Sequence, residues 1–109
     1  MKPVDIDNKM LPELSAVQFK KAVLHEIRCQ SGIGLIMVAI YKNPTDFPQT
    51  SMPTYVARAW VVKPAGVYAY IHLQYVTQEY ETIKDAIPAG MYRVNRSTHD
   101  DPHVLETYI

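Results

Sequence analysis

"IGLIMVAIYK", residues 33 to 42, is apolar at odd and even positions alike and rich in β-branched side chains. A strand with two apolar faces belongs in the middle of a sheet, where both faces are covered. Two neighbours follow it. In "TYVARAWVV", 54 to 62, Tyr55, Ala57, Ala59 and Val61 point one way, and Val56, Arg58, Trp60 and Val62 the other. In "VYAYIHLQ", 67 to 74, Val67, Ala69, Ile71 and Leu73 alternate with Tyr68, Tyr70, His72 and Gln74. Between them "KPAG", 63 to 66, sets Pro64 second and Gly66 fourth in a tight turn. The three segments read as an antiparallel meander.

A helix precedes them, over about 15 to 30. Ser15 and Gln18 have the spacing of a capping box, and Leu14 and Phe19 stand at the staple positions. Ala16, Phe19, Val23 and Ile27 form one apolar stripe. Gly32 can terminate it. A second, short helix is expected after the meander, capped by Thr77, with Tyr80, Ile83 and Ile87 on one side and Pro88 and Gly90 as its stop. Two short β-like pieces, "MYRVN" and "HVLETYI", end the chain, the last reading as an edge strand to which a second subunit could add. Strands cluster and no β-α-β unit repeats, so the class is α+β: an N-terminal helix, a three-strand meander, a second short helix and two C-terminal strands. Residues 1–14, with Pro3 and Pro12, read as an arm on a single domain spanning 15–109.

Composition narrows the function classes. Lys+Arg and Asp+Glu both number 11, so the chain lacks the positive field that drives nucleic-acid binding, and nucleic acid is not an expected partner. Weak mutual repulsion favours a homo-oligomer. One cysteine excludes an internal disulfide, and the N-terminus lacks the apolar core of a signal peptide. The expectation is a cytoplasmic protein without a membrane segment.

Several constellations could carry chemistry. If the Arg58–Trp60 side and the Tyr68–Tyr70–His72 side coincide, the sheet presents a guanidinium among aromatic rings. Such a surface suits a flat anion, with rings stacked on a base and arginine bonded to phosphate or carboxylate. The same side chains equally serve packing or a subunit contact. "NPTDFP", 43 to 48, is stiffened by two prolines, and it is either a well-formed turn or a loop that presents Asn43, Asp46 and Phe47. "HDDPH" brings together His99, Asp100, Asp101 and His103 with His-x3-His spacing, but it lacks a second ligand pair and contains common turn chemistry, so no metal is assigned. His25 and Cys29 lie four apart and can touch on one helix face, most simply as an inert thiol beside a histidine. P-loop, GxGxxG and GxSxG motifs are absent, and no cofactor is expected.

"YKNPTDFP", "YVARAW", "TIKDAIPAGMYRVNR" and "DDPHVLETYI", in that order, resemble the pattern of an uncharacterised family of small bacterial and mobile-element proteins. The likeness runs from Val38 onward, about two thirds of the chain, and omits the first helix and "QTSMP". It implies one folding unit over 38 to 109 and no activity. The expected function is non-enzymatic binding of a small anionic, nucleotide-like ligand at an oligomer interface lined by Arg58, Trp60, Tyr70, His72 and Arg93, with Asn43 and Asp46 from the loop. The mobile-element likeness makes a sponge for an immune signalling nucleotide one form of this reading. The alternatives are a protein-interaction module, inhibitor or adaptor, and a small metal-dependent or hydrolytic enzyme built on His72 or the 99 to 103 cluster.

Overall fold

The computed structural model describes residues 14–44, 51–94 and 102–109, and the side chains of Ile71 and His72 fall outside that description. Helix α1 (Ala16–Cys29) opens on the expected reciprocal box. The Gln18 N–H donates to Ser15 Oγ at 3.1 Å and the Ser15 N–H to Gln18 Oε1 at 2.9 Å. Two donors that a helix start leaves without intrahelical partners are thereby satisfied. Phe19 and Val23 are fully buried, with Leu14, Ala16 and Ile27 packed beside them. Burial of each such large apolar side chain contributes about 2 to 3 kcal/mol. Past Gln30 the chain turns through Gly32, whose φ of +78° suits a residue without Cβ.

Strands β1 (Leu35–Lys42), β2 (Tyr55–Lys63) and β3 (Gly66–Thr77) form the meander. Helix α2 (Tyr80–Ile83) runs into a 3₁₀ turn at Lys84–Ala86, and β4 (Arg93–Val94) and β5 (Val104–Tyr108) complete an antiparallel sheet ordered β3-β2-β1-β5-β4. The architecture is α+β, and β1 is central. The turn at Lys63–Gly66 closes the β2–β3 hairpin, with Lys63 opposite Gly66.

Two local expectations change. Thr77 does not cap α2: it pairs with Tyr55 as the last residue of β3, and its Oγ1 accepts the Glu79 N–H at 3.0 Å. Strand pairing outweighs its capping preference, and α2 begins only at Tyr80. The final strand is not an edge. β5 lies between β1 and β4, and Ile109 exchanges both backbone bonds with Tyr92, at 2.7 and 3.0 Å. The sheet's edges are β3 and β4.

The described helices pack on one face. Phe19 and Val23 of α1, with Ile83 and Ala86, pack on Ile36, Val38, Ile40, Ala57, Ala59 and Val61. The opposite face carries a smaller cluster of Ala39, Tyr41, Val56 and Val104, flanked by Trp60 and Val76. Residues 1–13 of the expected arm lie outside the described residues. Among those described, no helix is long and apolar enough to cross a membrane.

Candidate binding face

Register decides which side chains share a surface. Directly opposed residues of an antiparallel pair point to the same side. Leu35, Met37, Ala39 and Tyr41 of β1 oppose Val62, Trp60, Arg58 and Val56 of β2. On β3, Val67, Ala69, Gln74 and Val76 oppose Val62, Trp60, Arg58 and Val56. These twelve positions lie on the face turned away from α1, and none of them is acidic.

Arg58 stands near its middle, half-buried. Its Nε–H donates to Gln74 Oε1 at 3.0 Å, and its Cζ lies 4.9 Å from the centroid of the Tyr41 ring. The contact is a cation–π pair with a ring that is itself buried. Trp60 follows two residues on. Its Nε1 is buried and meets no acceptor among the described residues. An unmade hydrogen bond of this kind costs about 1 to 3 kcal/mol. The face is thus apolar, donor-bearing and locally cationic.

The other expected ligand residues are elsewhere. Between the pairs Arg58–Gln74 and Trp60–Ala69, β2 uses one residue and β3 uses four, residues 70 to 73, so the register shifts in a bulge. Because Trp60 opposes Ala69, its neighbours Tyr68 and Tyr70 point to the helix side. There Tyr70 packs on the main core, and burial, then the Glu26 bond and charge, push the phenol pKa up. The expected coincidence of Arg58, Trp60, Tyr68 and Tyr70 on one side therefore does not occur. His72 is within β3, its side chain outside the described residues.

Arg93 is also on the helix side. It opposes Tyr108 at the far edge of the sheet, beside a polar network absent from the sequence reading. The Glu106 carboxylate, 7% exposed, accepts hydrogen bonds from the Tyr80 hydroxyl and, at 2.7 Å, from the Tyr108 hydroxyl. Burial opposes the charge of Glu106, but the two hydroxyls and the cations Arg93 and Lys84 outweigh it and hold the carboxyl below its usual range. Burial and then the Glu106 bond push Tyr108 up to about 12. Tyr55 packs on Tyr80 at 5.4 Å between ring centroids. Strand alternation carried the signal: Glu106 and Tyr108, two apart in "HVLETYI", face the same side.

The loop residues divide. Asn43, at φ +50°, spends its side chain on the backbone, its Oδ1 accepting the Thr54 N–H at 2.9 Å. Asp46 lies outside the described residues, as do His99, Asp100 and Asp101. His103 is described and sits at the start of β5, where its Nδ1 is 3.2 Å from the Lys42 carbonyl oxygen. On the helix side an apolar groove of about 370 Å³ runs between the end of α1 and the 89–91 turn, lined by Leu24, Ile27, Ile36, Met91 and Ile109.

No family model matches the chain, and no curated protein or solved structure is similar to it. Its functional reading rests on its own geometry.

Proposed function

We propose that this is a non-catalytic binding protein whose working surface is the face of the sheet turned away from α1, and that it holds a small planar anion over Trp60 and Arg58. The observation that carries the reading is the buried Trp60 N–H that meets no acceptor among the described residues, two residues from an arginine whose β1–β3 neighbours on that face are not acidic. An acceptor-rich ligand with an aromatic ring and a phosphate or carboxylate suits that surface: it offers a partner for the indole N–H, an anionic group for the arginine, and a flat body for apolar contact. Nucleotides are the commonest ligands of this chemistry, and a sponge for a signalling nucleotide is one form of the proposal. Tyr70 and Arg93 take no part in it, since they stand on the other side of the sheet.

Trp60 is the single tryptophan of the chain, so its emission reports on the site. Titration with linear and cyclic nucleotides should give a saturable change with one compound. The same compound should raise stability by about 2.7 kcal/mol at a hundredfold excess over its Kd. Arg58→Ala should weaken binding about tenfold or more, the loss expected for a charged hydrogen bond. A flat panel, or a titration unchanged by Arg58→Ala in a folded variant, overturns the proposal.

A second reading has its own support. Leu35, Val62 and Val67 form a row at one end of this face, with Leu35 49% and Val67 53% exposed. Exposed apolar rows on a sheet suit burial against another sheet, and a chain of zero net charge repels its own copies little. The occupant of this reading is a second copy of the chain. Light scattering should then give a dimer mass that falls to the monomer mass in Val67→Lys.

A further inference from the structure

Away from that face, α1 brings three different metal-ligating side chains together near its C-terminal end. His25 Nε2 and Cys29 Sγ are 3.4 Å apart, and the Glu26 carboxylate completes a trio whose ligand atoms all lie within 4.8 Å of one another. The spacing is a consequence of helix geometry: residues four apart stack on one face, and Glu26 is the immediate neighbour of His25. His25 and Cys29 are exposed, so an ion can reach them.

We infer that His25, Glu26 and Cys29 form a binding site for a borderline-soft divalent transition metal of the Zn²⁺ class. The distances carry the inference. Sulfur and nitrogen ligands at about 2.3 Å and 2.0 to 2.1 Å from a tetrahedral ion are about 3.5 Å from each other. The sulfur–nitrogen separation of 3.4 Å needs almost no adjustment. The donor set is also right: thiolate and imidazole select zinc-like ions over magnesium or calcium. A thiolate and a carboxylate together offset a divalent charge. The last turn of a helix adds the negative end of its dipole, and Cys29 is the final residue of α1.

A second element supports the trio. Tyr70 of β3 faces this end of α1, where burial and then the Glu26 carboxylate push its phenol pKa up. Metal-binding carboxylates are commonly oriented by an outer hydrogen bond. Tyr70 is thereby placed as an outer partner of Glu26 in the proposed site. Gln30 Oε1, buried and without a hydrogen-bond partner among the described residues, marks the same corner as polar and incompletely satisfied. Three protein donors leave one position of a tetrahedral ion for water. The site is independent of the nucleotide proposal, since it lies on the opposite side of the sheet.

The test uses Co²⁺ as a spectroscopic stand-in for Zn²⁺, added to the full chain kept reduced with a phosphine. One equivalent should produce thiolate-to-cobalt charge-transfer absorption and the ligand-field bands of a tetrahedral ion, and Zn²⁺ should displace it. Cys29→Ser should abolish the charge-transfer band, and His25→Ala and Glu26→Gln should each weaken binding at least tenfold. Tyr70→Phe should weaken it by about 10- to 100-fold, the usual range for an outer-shell partner. Circular dichroism establishes that each variant is folded. Absence of the charge-transfer band, or cobalt binding unchanged by His25→Ala, overturns the site.

Discussion

Asn43 and Thr54 are joined twice across the neck of the loop between β1 and β2: the Asn43 N–H donates to the Thr54 carbonyl at 2.8 Å, and the Thr54 N–H donates to Asn43 Oδ1 at 2.9 Å. Thr54 is buried and Asn43 holds a left-handed backbone. Three substitutions separate the two contributions. Asn43→Asp keeps the acceptor and should be close to the parent in urea denaturation. Asn43→Gly keeps the backbone but leaves a buried N–H without its partner, at a cost of about 1 to 3 kcal/mol. Asn43→Ala should be the least stable, by a further 1 to 2 kcal/mol or so of left-handed strain.

Glu106 makes stability acid-sensitive. Its folded carboxyl titrates below the ordinary value of 4.5, because two hydroxyls and two cations outweigh the effect of burial. A carboxyl with a depressed folded pKa stabilises the protein above the unfolded pKa, and that contribution is lost as pH falls through the folded one. Urea midpoints should therefore hold from pH 7 to about 5 and decline below about 4.5. Glu106→Gln should lower stability at neutral pH and flatten this part of the decline; an equally steep decline in that variant would assign it to other groups.

The alkaline side has the opposite sign. Tyr108 titrates at about 12 rather than 10.0, chiefly because it is buried and then because it bonds Glu106. Its stabilising contribution is complete below pH 10 and disappears as pH rises toward 12, since the unfolded phenol ionises first. Tyr70 and Tyr80 are raised as well. Spectrophotometric titration of the eight tyrosines should show a late fraction that shrinks in Tyr108→Phe.

Much of the fold was readable from local signals. Ser15 and Gln18 cap, Phe19 and Val23 lie on the apolar stripe, and the unbroken apolar run of β1 implies a strand paired on both sides. The candidate face failed at one step, and that step was also readable. A two-residue turn with Lys63 opposite Gly66 puts Trp60 opposite Ala69 and Val61 opposite Tyr68, so Tyr68 and Tyr70 must face away from Trp60. Strand alternation alone leaves that parity open; the turn sets it. The bulge over residues 70 to 73 is different, because nothing in "YIHL" announces it. The Glu106 network stayed hidden for a further reason. Its partners, Tyr80 and Arg93, come from an irregular helix and a two-residue strand, and only the tertiary fold brings them to β5.

The position of β5 bears on how the protein is made. β1 can pair with β2 as soon as the hairpin exists, but its other side stays open until the ribosome has added everything from Pro64 to Tyr108. At about 5 to 20 residues per second that interval is roughly 2 to 9 s. Throughout it, the nascent chain displays the naked edge of its most apolar strand, a template for pairing with any neighbouring chain. Slowing translation after β3, or depleting the chaperones that shelter such edges, should lower the yield of folded protein even though β5 pairs that edge from Val38 to Tyr41 in the finished molecule.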